Sequence, residues 1–170
     1  NAVYDLAFSE NGRMLVSGGA DNIAVVWDVP KQQEIARLDD ANGHKDRIVR
    51  VEFTDNGRQV VTAGYDGKVK LWSVSDKAWL RDLITHKNRV YALAVSKDGQ
   101  AIASGDADGE IRLWNTGSVS SRVLANQGVS IGALSFSPDG KKLLSTCGYR
   151  CPEHPGQVVW DTATGKELQR

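Results

Sequence analysis

The chain has 170 residues, of which 25% are charged and 41% hydrophobic, and this is an ordinary globular composition. Its 21 Lys and Arg residues balance its 21 Asp and Glu residues, which argues against a general nucleic-acid binder or a binder of anionic membranes. No apolar run approaches the roughly 18 residues of a membrane-spanning helix. No signal-peptide pattern is visible in the first residues, so we expect a cytoplasmic location.

The predicted elements are β-strands from the first residues onward. Apolar runs at 3–8, 48–53, 90–95 and 131–136 are each followed by an Asn-Gly or Asp-Gly pair, which tolerates the positive φ of hairpin turns. A second apolar run, a strand with a tryptophan and a more polar strand follow in each case. No segment has apolar residues at helical spacing, so the sequence predicts an all-β meander.

This unit occurs four times. The segments LVSGGADNIAVVWD, VVTAGYDGKVKLWS, IASGDADGEIRLWN and LLSTCGYRCPEHPGQVVWD align, and their tryptophans lie 45, 42 and 46 residues apart. A period of about 40–45 residues is the length of a four-stranded propeller blade. The predicted blades therefore cover approximately 1–38, 45–83, 87–125 and 128–170.

The repeated segments resemble WD40 repeats. Trp27-Asp28 and Trp160-Asp161 match the dipeptide that names the family, and Gly43-His44 matches its Gly-His element. The resemblance covers essentially the whole chain, and the phrase 137–140, Ser-Pro-Asp-Gly, is similar in style to prokaryotic members. It implies a β-propeller of four antiparallel, four-stranded blades. Complete WD40 rings usually have seven or eight.

The resemblance also implies a buried hydrogen-bonded tetrad of His, Ser or Thr, Asp and Trp in each blade. The expected members are His44, Thr62, Asp66 and Trp72 in the second blade; His86, Ser104, Asp108 and Trp114 in the third; Ser17, Asp21 and Trp27 in the first; and Ser145 and Trp160 in the fourth. Gln127 stands where the fourth blade should have His. A Ser-His-Asp set could indicate a hydrolase, but its repetition with tryptophan as fourth member favours a structural role. We expect no cofactor.

The fourth blade contains an insertion. Five extra residues separate Ser145 from Trp160, and the inserted segment includes Cys147, Cys151 and His154. We favour two free thiols, with a local disulfide and a metal site as alternatives; a zinc site would need a fourth ligand. We expect this blade to be the least regular.

The sequence predicts four blades with no strand left over, so it does not determine how a ring would be closed. The sequence favours a part of a larger propeller, closed by further blades of the same protein. The alternatives are two copies that join into an eight-bladed ring, a closed four-bladed ring, and a stable arc.

For function, the sequence favours a non-catalytic scaffold that binds a protein or peptide, without nucleic acid or membrane. A sensing or autoinhibitory domain of a larger signalling protein is the first alternative, and an enzyme with a metal or thiol centre at the insertion is the second. By the resemblance, partner contacts come from positions three and five after the tetrad His and from the residue before the tetrad Asp. On the top face these include Tyr4, Arg47, Val49, Tyr65, Arg89 and Tyr91. We expect this face to bind an acidic or phosphorylated segment.

Overall fold

The computed structural model describes residues 1–115, 118, 120–148 and 156–170, and these residues form four antiparallel sheets. The first sheet contains β1 (Val3–Phe8), β2 (Met14–Gly19), β3 (Ala24–Asp28) and β4 (Gln33–Leu38). The second contains β5 (Ile48–Thr54), β6 (Gln59–Gly64), β7 (Lys68–Ser73) and β8 (Ala78–Thr85). The third contains β9 (Val90–Val95), β10 (Ala101–Asp106), β11 (Glu110–Asn115) and β12 (Arg122–Asn126). The fourth contains β13 (Ile131–Phe136), β14 (Lys142–Cys147), β15 (Gln157–Asp161) and β16 (Glu167–Gln169).

Each sheet is a simple meander in which consecutive strands pair antiparallel. The predicted fold class, four four-stranded antiparallel blades, is confirmed. A 3₁₀ turn at Asp55–Gly57 follows β5. In the part of the chain that the structure describes, no helix is long or apolar enough to cross a membrane.

The hydrophobic core lies between successive sheets. Val16 and Val26 of the first sheet pack in one cluster with Val51, Val60 and Trp72 of the second. The same arrangement recurs between the second and third sheets and between the third and fourth. Both faces of an inner blade are therefore buried, which explains why its strands are apolar on both sides.

The array of sheets is open, because one face of the first sheet is uncovered. Trp27 is 36% exposed, whereas the equivalent Trp72 is fully buried and Trp160 is 5% exposed. Leu6 is 56% exposed, whereas the equivalent Leu93 is 6% exposed. The buried equivalents are covered by the preceding sheet, whereas no described residues cover this face of the first sheet.

The strand order defines two ends of the array. The first strands β1, β5, β9 and β13 lie side by side along the inner side. The top end carries the links from one sheet to the next and the turns between second and third strands. The bottom end carries the turns between first and second strands and between third and fourth strands. Any loop residue can therefore be assigned to one end from its place in the chain.

Candidate binding surface

The second sheet carries a buried hydrogen-bonded network beneath its top end. The Trp72 indole N–H donates to Thr62 Oγ1 at 2.8 Å, and Thr62 Oγ1 lies 2.7 Å from His44 Nε2. His44 Nδ1 lies 2.9 Å from Asp66 Oδ1. These contacts fit a tautomer in which the Thr62 hydroxyl donates to Nε2 and the Nδ1–H of His44 donates to Asp66. The four predicted residues of this blade therefore meet in one chain of hydrogen bonds.

Asp66 is the anionic end of this chain of bonds. Burial raises the pKa of its carboxyl group, but hydrogen bonds from His44 and from the backbone N–H groups of Lys45 and Lys68 outweigh this effect and hold the pKa below its usual value. The carboxylate thus fixes the top loop before β5 and the turn after β6 around a single group.

In the third sheet a different carboxylate fills this role, which corrects the expectation of Asp108. His86 Nε2 lies 2.7 Å from Ser104 Oγ, and His86 Nδ1 lies 3.1 Å from Asp106 Oδ2. Asp108 instead accepts a hydrogen bond from the Asn88 side-chain amide at 3.1 Å. The hydrogen bonds of the described residues include none between the Trp114 indole and Ser104, so this network is shorter than the one in the second sheet.

Asp106 takes this role because of the direction of the side chain at the last position of the second strand of a sheet. Asp106 aligns with Gly64, and a Cβ added at Gly64 would lie 2.7 Å from His44 Nδ1. A side chain at this position is therefore aimed at the imidazole. In the third sheet Asp106 supplies the carboxylate directly and accepts the N–H groups of Asp108 and Glu110 at 3.0 and 2.9 Å. In the second sheet Gly64 leaves this space to Asp66.

The first and fourth sheets have incomplete networks. The Trp27 indole donates to Ser17 Oγ at 3.0 Å, while Asp21 accepts only a long bond of 3.4 Å from the Ile23 N–H. In the fourth sheet the Trp160 indole donates to Ser145 Oγ at 2.8 Å, and Ser145 donates to Gln127 Oε1 at 2.6 Å. Gln127 Oε1 thus replaces the accepting nitrogen of His.

Gln127 cannot complete the network that His completes elsewhere. Its Nε2 is buried and has no hydrogen-bond partner within the described structure. The position aligned with Asp106 is occupied by Cys147, so the end of this strand supplies no carboxylate for the amide. A buried donor without an acceptor costs about 1–3 kcal/mol.

His86, Asp106 and Glu110 place their ligand atoms within 4.8 Å of one another. Both ring nitrogens of His86 are already hydrogen-bonded, and Arg112 forms an ion pair with Glu110 at 2.9 Å. Burial lowers the pKa of His86 more than Asp106 raises it. These contacts identify the group as part of the structural network.

The insertion of the fourth blade begins at Cys147, the last residue of β14. Cys147 is disulfide-bonded, so the favoured interpretation of free thiols is wrong for this residue. Its sulfur is held in a covalent bond instead. Cys151 and His154, the other two candidate ligands of a metal site, lie outside the described residues.

The top end brings five of the predicted contact residues together, and we call them the Tyr–Arg cluster: Tyr4, Arg47, Tyr65, Arg89 and Tyr91. The rings of Tyr65 and Tyr91 meet edge to face, with centroids 5.5 Å apart. The Arg89 guanidinium lies 5.1 Å from the centroid of the Tyr65 ring. Arg47 Nη1 donates to the Tyr4 hydroxyl at 3.5 Å. The cluster spans the first three sheets.

Both arginines of the cluster are exposed. No ion pair joins Arg47 or Arg89 to a carboxylate among the residues that the structure describes. Cation–π stacking uses the face of the Arg89 guanidinium and leaves its N–H edges available. The surface thus offers unpaired positive charge beside aromatic rings.

Val49 does not belong to this surface, because its side chain is only 7% exposed. Its carbonyl oxygen instead accepts a hydrogen bond from Arg50 Nη1 at 2.7 Å, and Arg50 Nη2 reaches the Gly132 carbonyl of the fourth sheet at 3.5 Å. Sequence reasoning missed Arg50. The available signal was a lone arginine in an apolar first strand, where the other blades have Asp5, Ala92 and Ala133.

Comparison with known families identifies the repeated unit. Segments 1–28, 34–73 and 78–115 match the family model described as WD domain, G-beta repeat. Each matched segment ends one residue after a tryptophan. The fourth sheet, which has Gln127 in place of His and carries the insertion, lies outside the matched segments. No curated protein matches the chain.

Proposed function

Because this chain belongs to the WD40-repeat family, we propose that it is an interaction scaffold whose Tyr–Arg cluster binds an acidic or phosphorylated protein segment. WD40 repeats generally mediate protein–protein interaction, and the family is generally non-catalytic. The hydroxyl and imidazole groups of Thr62 and His44, which a hydrolase would need, are buried and bonded to each other.

The observation that carries this proposal is the pair of exposed arginines beside three tyrosines, without an ion pair to any carboxylate of the described residues. An arginine guanidinium presents a planar set of donors that matches a carboxylate or phosphate in two parallel hydrogen bonds. Tyrosine and arginine are also enriched among the residues that dominate binding energy, because each joins a large contact area to hydrogen-bonding capacity.

The location of the cluster supports the same conclusion. Its residues lie on short loops and strand ends, directly above the networks of His44 and His86. Those networks hold the loops before β5 and β9, so the arginines are presented by a rigid framework. A preorganised surface loses less conformational entropy when it binds a partner.

The test compares two double variants that each remove two positive charges from the chain. Phosphoserine-containing and glutamate-rich peptides would be titrated against the chain by fluorescence anisotropy. We expect Arg47→Ala with Arg89→Ala to weaken binding by more than about tenfold, because two charge-assisted hydrogen bonds are lost. The melting temperature should change little, since both side chains are exposed.

Arg13→Ala with Arg58→Ala is the matched control, because both residues are exposed at the bottom end. This control should bind the peptides like the wild type. Equal affinity in the two double variants would reject the Tyr–Arg cluster as the binding site.

A further inference from the structure

The bottom end has an aromatic opening of its own. Three of the four first strands place phenylalanine near their lower ends, at Phe8, Phe53 and Phe136, and the third has Val95. Two adjoining cavities of about 700 and 400 Å³ open there, and Glu52, Val95 and Lys97 line both. We call the lining formed by Phe53, Val95, Phe136 and Glu52 the bottom mouth.

The turn beside the larger cavity differs from its equivalents. In the other three sheets the turn begins with a serine whose hydroxyl donates to the Asn or Asp two residues later, at 2.6–2.9 Å. The second sheet has Thr54 at this position, and Thr54 Oγ1 instead reaches the Gly99 carbonyl of the third sheet at 3.4 Å. Asp55 and Asn56 follow with φ of 49° and 52°. Two successive non-glycine residues in the left-handed region are unfavourable, and such strain concentrates at functional sites.

Glu52 is the acidic residue of the bottom mouth. Its side chain is half-buried, and its carboxylate makes no hydrogen bond or ion pair with any residue in the described ranges. Burial and, to a smaller extent, the charge of Asp5 raise its pKa to about 7. Asp5 itself is satisfied, because its carboxylate accepts the Val51 N–H at 2.9 Å.

We propose that the bottom mouth is a second binding site, which takes an arginine or lysine side chain flanked by apolar residues of a partner protein, with Glu52 as its counter-ion. The charges favour this occupant. The carboxylates around the larger cavity belong to Glu10, Glu52, Asp55 and Asp98, and they outnumber the cations Arg81 and Lys97. Arg81 is stacked over the Trp114 ring at 5.1 Å.

The shape and polarity of the cavity fit the same side chain. Phe53, Leu71 and Val95 offer apolar surface for the methylene groups of Arg or Lys, which such side chains bury while their charged end stays polar. A cation near the Phe53 ring would also be attracted by the ring face. An acidic ligand would meet the unpaired carboxylate of Glu52 and be repelled.

The test uses the whole 170-residue chain and the peptide acetyl-Leu-Arg-Leu-amide, with the citrulline peptide as its uncharged match. Binding is followed by NMR titration of the backbone amides. We expect the arginine peptide to perturb amides near Phe53 and Val95 and to bind at least tenfold more tightly than the citrulline peptide, since only the former pairs with Glu52.

Glu52→Gln should weaken binding of the arginine peptide by about tenfold, as expected for the loss of one partly buried ion pair. Glu10→Gln makes the same change at an exposed position of the same cavity, and it should weaken binding of this peptide by less than about twofold. Arg47→Ala with Arg89→Ala should have no effect, so this site and the Tyr–Arg cluster can fail independently. Equal binding of the citrulline peptide or unchanged affinity in Glu52→Gln would each overturn the proposal.

The pH dependence gives a second measurement on the unaltered chain. The charge of Asp5 from β1 acts on Glu52, the charged groups that line the cavities with it are Glu10, Asp55, Arg81, Lys97 and Asp98, and β13 presents Leu134 and Ser135. Only ionised Glu52 pairs with the peptide, so affinity should fall as the pH decreases below about 7 and level off near the roughly tenfold loss expected for Glu52→Gln. Constant affinity between pH 8 and pH 6 would contradict the role of Glu52.

Discussion

At His86 the carboxylate comes from the last residue of a strand, and at His44 it comes from the turn after the strand. Both arrangements leave the imidazole with one accepted and one donated hydrogen bond. The identity of the residue two positions before the turn aspartate decides between them: Gly64 leaves room for Asp66, whereas Asp106 takes its place. Asp108 is thereby released to the surface.

This exchange predicts that replacing Asp106 destabilises the fold much more than replacing Asp108. Asp106→Ala should lower the free energy of unfolding by about 1–3 kcal/mol, because His86 and two backbone N–H groups lose their acceptor in a buried place. Asp108→Ala is the control and should cost less than about 0.5 kcal/mol, since its side chain bonds only to the exposed Asn88. Urea denaturation of both variants measures the difference. A larger loss in Asp108→Ala would restore Asp108 as the network residue.

At the scale of the element, the fourth sheet differs from the second and third. Its network ends at Gln127, whose Nε2 has no acceptor among the described residues, and its last strand β16 has three residues, all exposed. Ala133 and Ser135 of β13 are exposed, whereas Ala92 of β9 is fully buried. In the described structure this sheet shares a hydrophobic core with a neighbour on one side only, whereas the second and third sheets do so on both sides.

We expect the amides of β13–β15 to exchange with solvent faster than those of β5–β7 and β9–β11, because local opening breaks fewer buried contacts in the fourth sheet. Hydrogen exchange followed by mass spectrometry or NMR tests this, and the inner two sheets serve as internal controls. Uniform protection across all four sheets would show that the incomplete network has no effect on local stability.

At the scale of the whole molecule, the uncovered face of the first sheet is the main departure from a buried core. Leu6, Phe8 and Trp27 are all more than one third exposed. Contiguous apolar surface of this kind favours association. The state of this face in solution can be determined by comparing equivalent leucines.

In the isolated 170-residue chain, Leu93→Ala should lower the free energy of unfolding by about 2–5 kcal/mol, because it leaves a cavity between two sheets. Leu6→Ala should cost less than about 1 kcal/mol, because this side chain is already 56% exposed. Thermal or chemical denaturation at low protein concentration measures both. Equal losses would mean that another copy of the chain covers the first sheet, and sedimentation would then detect the dimer.

Local features of the sequence were sufficient for the fold. Turns such as Asn11-Gly12 and Asp98-Gly99 and the spacing of the tryptophans predicted the strands and their grouping, because hairpins form between residues that are close in the chain. The resemblance to WD40 repeats placed Tyr4, Arg47, Tyr65, Arg89 and Tyr91 at one end, since each position recurs at the same height in successive blades.

The tertiary structure alone decided which side chains meet and which are covered. The burial of Val49, the reach of Arg50 to Gly132 and the lack of a partner for Glu52 depend on strands from different sheets, more than 40 residues apart for most of these contacts. The choice of Asp106 over Asp108 depends on the direction of a side chain at a strand end. Spacing in the sequence carries no information on these distances, because they are set by how the sheets pack against one another.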